Sequence, residues 1–184
     1  GYGRCGEESA FGVNAFRSVG IPARQIYTPR WAHCDDNHAW VEVWCDGGWH
    51  FLGACEPEEV LDKGWFTNAS SRAMLIHSRC FSDISGEEVI SKVGMANFLN
   101  NLKLYAVTTR LTVTVKDAAG APVEGAQVSF GILNYSDIFP AAVVTTGADG
   151  IAALTCGLGT INIHVKKDSL HCERMVYTPD CDQV

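Results

Sequence analysis

The sequence has no apolar run near the roughly 20 residues that a membrane-spanning helix needs. It has no opening apolar stretch of the kind that marks a secretory leader. No two of its cysteines stand at CxxC spacing, which argues against a zinc ribbon. Basic residues are in deficit: 14 Lys and Arg face 21 Asp and Glu, for a formal net charge of -7. Divided at Tyr105/Ala106, the chain carries 13 acids and 9 bases before and 8 acids and 5 bases after. Neither half offers a basic face for nucleic acid or anionic lipid. Tandem repeats and low-complexity tracts are also missing.

What is present fits a globular protein. The 184 residues are 47% hydrophobic and 19% charged, a length that suits one large domain or two small ones. Eight cysteines lie at positions 5, 34, 45, 55, 80, 156, 172 and 181. An even count fits disulfides in an exported protein, and fits buried thiols equally well. Cys172 and Cys181, close in sequence, are the pair that proximity favours for a bridge. The chain opens at Gly1 inside a motif, so a longer parent protein is expected.

Residues Glu7 to Val19 predict a helix, with Phe11, Ala15 and Val19 forming one apolar stripe and Gly12 and Phe16 on its flank. Glu7 and Glu8 suit the first turn. Gly20 and Pro22 end the helix. Arg24 to Thr28 predicts a short strand. His38 to Trp44 alternates, with Ala39, Val41 and Val43 on one face and His38, Trp40, Glu42 and Trp44 on the other. Asp46-Gly47-Gly48 is hairpin chemistry, and Trp49 to Leu52 is the returning strand. Between Pro57 and Leu104 the pattern is weak: Ala69 to Phe81 is mixed, and Glu87 to Leu104 suits a helix or a long surface connection. From Val107 onward short alternating runs recur, at Leu111–Val115, Gln127–Leu133, Ile151–Thr155 and Ile161–Val165. Gly/Asp turns separate them, which predicts an all-β sandwich. The expected boundary falls near residue 106, giving domains 1–106 and 107–184.

A nucleophilic cysteine needs a lowered pKa, a base within reach and a group that orients the base. Cys5 falls at the start of the first helix, where free N–H groups and the positive dipole end favour thiolate. Gly6 lets a substrate approach the backbone, and a nearby N–H is a candidate oxyanion donor. His38 opens a strand whose apolar face should lie on that helix. The third member is expected beside His38 on the next strand. That strand ends at Gly53, and the nearest carboxylate beyond it is Glu56.

These elements resemble a known family. Gly3-Arg4-Cys5-Gly6-Glu7, Val19-Gly20-Ile21-Pro22-Ala23-Arg24, His38-Ala39-Trp40-Val41-Glu42-Val43 and Trp49-His50-Phe51-Leu52 match, in order and spacing, the core of transglutaminase-like (papain-like) cysteine enzymes. Gly3–Glu7 and Ala54-Cys55-Glu56 look closest to the peptide:N-glycanase branch. The likeness spans residues 1 to about 66 and implies an α+β papain-like domain, a helix packed on an antiparallel sheet. It implies a Cys5–His38 pair breaking an amide bond without a cofactor. Hydrolysis by a protease or amidase is the favoured outcome, and acyl transfer to an amine or a lapsed binding module the alternatives. The sequence departs from the family at Gly53, where the triad Asp usually stands. Glu56 then reaches back to orient His38, or the site works as a dyad, or it has decayed. Only four residues precede Cys5, and the zinc-binding cysteine pairs of peptide:N-glycanases are missing.

Around the site, Trp31, Asp35 and Asp36 in the 29–37 loop are the expected substrate contacts, the two acids attracting a basic group. His33-Cys34-Asp35-Asp36-His38 suggests a metal cluster, but neighbours in extended chain point opposite ways, so no metal is expected. Residues 113–130 and 145–154 resemble the carboxypeptidase regulatory-like (transthyretin-like) sandwich. That likeness implies a spacer or surface-binding role and favours an extracellular or cell-surface setting. The expected partner is a peptide, protein or glycopeptide, with no nucleic acid and no membrane span.

Overall fold

Asp46 and Gly47 both hold positive φ (50° and 82°), the geometry of a tight hairpin turn that matches strand twist. That turn joins β2 (His38–Cys45) to β3 (Gly48–Leu52), and Val41 faces Leu52 across the ladder. β1 (Ala23–Thr28) pairs with the other edge of β2, Thr28 opposite His38. The computed structural model describes residues 3–34, 36–54, 56–82 and 86–181.

Helix α1 spans Cys5–Ser18, two residues earlier than the pattern predicts. Its inward face is Ser9, Gly12, Val13 and Phe16, packed with Ala23, Val41 and Val43. The predicted stripe is turned outward, with Phe11 75% and Val19 72% exposed. Gly12 explains the choice: a Cβ there would stand 3.2 Å from a Val41 methyl, so the glycine lets the helix axis approach the sheet.

A four-residue helix α2 (Thr67–Ser70) leads to β4 (His77–Cys80). The stretch Glu87–Leu104 is neither helix nor loose connection. It forms the hairpin β5 (Val89–Val93) and β6 (Ala96–Asn100), turned at Gly94 (φ 59°), and then a 3-10 turn Leu102–Leu104. The asparagines that weaken the sequence pattern have work at the sheet. Asn97 donates to Ser82 O (3.0 Å) and Asn100 to Thr155 O (2.7 Å). The first sheet is six-stranded in the order β3-β2-β1-β4-β6-β5, and all its pairs are antiparallel.

β7 (Thr108–Thr114) and β10 (Ile151–Gly157) form one ladder. β8 (Gln127–Asn134), β9 (Asp137–Thr145), β11 (Thr160–Lys167) and β12 (Leu170–Tyr177) form a sheet in the order β12-β11-β8-β9. Leu111, Leu154 and Cys156 of the ladder meet Val128, Phe130 and Ile163 of the sheet in one core, as in a sandwich. Met74, Leu75 and Ile90 from the first half belong to the same core. Gly157 N donates to Met74 O (3.1 Å), and a Cβ on Gly157 would lie 2.1 Å from Ala73 O. The chain is therefore mostly antiparallel β, and its two halves share apolar packing. Cys172 and Cys181 are free thiols, Cys172 exposed on β12, so the expected bridge is not formed. No helix among the described residues is long and apolar enough to cross a membrane.

Candidate active site

α1 is held at its first turn by β1. The Gln25 side chain donates to Gly6 O (2.8 Å) and to Ser9 Oγ (2.8 Å), and Ser9 Oγ in turn donates to Cys5 O. Glu7 accepts the Arg4 N–H (2.9 Å), an acid at the positive end of the dipole. That hydrogen bond holds its carboxyl below the usual range. Cys5 is the first helical residue and half-buried, where the first-turn amides lack intrahelical acceptors. Tyr27, two residues along β1 from Gln25, lies within electrostatic reach of Cys5.

The helix start lies over Gln25 and Tyr27, and its last turn reaches Ala23, whose carbonyl accepts from Arg17 (2.9 Å). Cys5 is thus at the end of the sheet where Thr28 and His38 pair. His38 is buried (7% exposed). Ala39 and Val41 face α1, so the imidazole stands on the opposite face. There its centroid is 4.7 Å from Trp65, 5.0 Å from Phe66 and 5.7 Å from Trp40. Among the described hydrogen bonds none joins Cys5 to His38. The strand brings the two residues to one end of the sheet, with the His38 ring on the face away from α1.

Glu56 is exposed and accepts the Trp65 indole N–H (2.7 Å). Its chain folds back on Gly53: a Cβ there would be 3.8 Å from Glu56 Cγ and 3.1 Å from its carbonyl. Glu56 therefore approaches His38 by way of the Trp65 ring.

The loop residues divide. Trp31 is a correction: it is 0% exposed and stacked parallel to Trp40 at 6.4 Å, so it is core and meets no substrate. Burial of its large ring under the loop outweighs the polar setting that suggests exposure. Asp36 is half exposed and ion-paired with Arg30 (2.8 Å), which offsets the charge expected to attract a basic group. Asp35 lies outside the described residues. Among the described residues no cluster of His, Cys, Asp or Glu is arranged for a metal ion.

Sequence reasoning misses a second set of residues. β4 pairs with β1, Tyr27 opposite His77, and period-two alternation then puts Arg79 on the same face. Their rings touch edge-on at 5.5 Å. With the start of α1 they line a cavity of about 390 Å³ beside Cys5. The signal was the alternation His77-Ser78-Arg79-Cys80 inside a stretch that reads as mixed.

Residues 1–54 match the family model described as the transglutaminase-like superfamily, under a third of the chain. The match covers α1, the three strands β1–β3, Cys5 and His38, and it supports that superfamily for this segment. No curated protein matches the chain. The superfamily's chemistry is thiol-dependent acyl transfer or hydrolysis in general.

Proposed function

We propose that the chain is a cysteine hydrolase or acyltransferase acting on an amide bond, with Cys5 as nucleophile. The observation that carries the reading is the placement of Cys5 at the first position of a 14-residue helix, at the end of the sheet where β2 begins with His38.

Cys5 Sγ attacks the amide carbonyl. A C–S bond forms, the C–N bond breaks, and the thiol proton passes through His38 to the leaving nitrogen. Water then opens the thioester, giving a carboxylic acid and regenerating the thiol. A primary amine in its place gives a new amide. Water is the favoured acceptor, since the motif at Gly3–Glu7 and Ala54–Glu56 looks closest to the peptide:N-glycanase branch, a hydrolase line. Glu56 positions His38 through Trp65 where the family's aspartate is replaced by Gly53. The substrate is a peptide, protein or glycopeptide. The C-terminal half resembles a transthyretin-like sandwich and packs against the catalytic half instead of trailing from it.

One observation favours a second reading. Gly53 carries no orienting carboxylate, as in a binding module that keeps the fold after its site has lapsed.

Hydroxylamine trapping separates the two. The protein is incubated with a mixed peptide digest and hydroxylamine, and hydroxamates are sought by mass spectrometry. Cys5-dependent hydroxamates establish an acyl-enzyme; their absence in wild type, with Cys5 intact, supports the lapsed module.

A further inference from the structure

The cavity beside Cys5 is lined by Gly6, Glu7, Gln25, Tyr27, His77 and Arg79, among others. Three of its features point to one kind of ligand. Arg79 is exposed, lies 5.3 Å over the Phe98 ring and has no ion pair among the described residues. His77 is 5% exposed, and its Nδ1 has no hydrogen-bond partner in the protein. The His77 ring stands edge-on to Tyr27 in the cavity wall. The third feature is the positive end of a 14-residue helix at the cavity wall.

The wall also holds one carboxylate, Glu7, which stays anionic, so Arg79 has to outweigh it for an anion to bind. Glu7 is engaged by the Arg4 N–H. Tyr27 stays a phenol, because burial pushes its hydroxyl up, so it donates a hydrogen bond. Tyr27, His77 and Arg79 also border a second cavity of about 230 Å³, with Ile90, Phe98 and Phe139 in its wall. A polar subsite therefore opens onto an apolar shelf that includes β9 of the C-terminal half.

We propose that the cavity beside Cys5 binds a carboxylate of the substrate, held by Arg79, Tyr27 and His77, with an adjoining apolar group on the β9 shelf. The substrate class is then an acidic peptide, and the C-terminal half forms part of the cleft. This rests on Cys5 as the nucleophile, which the test treats separately.

The test compares alkylation of Cys5 by iodoacetate and by iodoacetamide, resolved by peptide mass spectrometry. In wild type the anionic reagent reacts at least about tenfold faster relative to the neutral one than it does in Arg79→Gln, and Arg79→Lys restores part of the preference. Equal ratios in wild type and Arg79→Gln overturn the subsite. If neither reagent labels Cys5 faster than an ordinary thiol, the nucleophile reading fails and the subsite is judged on propionate. A propionate-dependent shift of the His77 ring signals in NMR that Arg79→Gln loses upholds it; no shift overturns it. Protection by a peptide with an internal Asp and an amidated C-terminus, against one with Asn and a free C-terminus, tells a side-chain carboxylate from a terminal one.

Discussion

The Trp65 indole lies 4.7 Å, centroid to centroid, from the His38 imidazole. Its N–H is spent on Glu56 (2.7 Å), so the carboxylate fixes the ring that packs the base. Trp65→Phe keeps the packing and removes the donor; Glu56→Gln keeps the shape and removes the charge. Each lowers the turnover of an amide substrate by about tenfold, the scale of one lost hydrogen bond, with KM little changed. The double variant falls no further than either single one, since the two act as a unit. Additive losses would show that Glu56 and Trp65 act independently of each other.

Glu42 is 1% exposed on β2. It pairs with Arg24 (2.6 Å) and accepts the Tyr105 hydroxyl, which itself accepts the Trp40 indole N–H (2.9 Å). Burial, then the Glu42 charge, hold Tyr105 well above the usual phenol range, so it stays a donor. Arg24→Met strands a buried carboxylate and costs about 3 kcal/mol in denaturant unfolding. Replacing Glu42 as well, in Arg24→Met/Glu42→Leu, recovers part of the loss.

His77 is a pH-sensitive group of the first sheet. Burial, and then the neighbouring Arg79, push its pKa down from 6.5 to about 4, so it is neutral in the fold. Between those values the unfolded chain binds a proton that the folded chain refuses. Stability therefore falls as pH drops from about 6.5 to about 4, by up to about 3 kcal/mol, and this contribution is flat above that window. His77→Gln removes that slope, read from unfolding midpoints at several pH values.

Gly157 lies where the halves meet, with Ala73 O 2.1 Å from the place a Cβ would take. Gly157→Ala forces the backbones apart and lowers stability by about 2–3 kcal/mol. If the halves unfold as one unit, the variant shows a single lowered transition by circular dichroism and by Trp fluorescence alike.

The first 54 residues were readable because their signals are local. Cys5 precedes a helix with acids in its first turn, His38–Trp44 alternates, and Asp46-Gly47 makes one kind of turn. Four things were not readable. The buried face of α1 is decided by the fit of Gly12 to Val41, a tertiary contact that no helical stripe reveals. The β5–β6 hairpin mixes apolar residues with asparagines whose partners, Ser82 and Thr155, lie outside it, Thr155 far away in sequence. His77 and Arg79 join the α1 cavity only through the β1–β4 pairing, which links residues about fifty positions apart. The burial of Trp31 is of the same kind: a polar loop conceals a ring stacked on Trp40.

The most direct measurement is the pH profile of iodoacetamide labelling at Cys5, resolved by peptide because other thiols differ. Burial pushes Cys156 up to about 12, so it stays unlabelled, while hydrogen bonds from Ser82 lower Cys80 and make it a reference. Fast labelling of Cys5 near pH 5 that His38→Ala abolishes is the predicted result, and establishes the thiolate–imidazolium pair. Labelling that rises only above about pH 8, as for an ordinary thiol, and is indifferent to His38→Ala, contradicts the account.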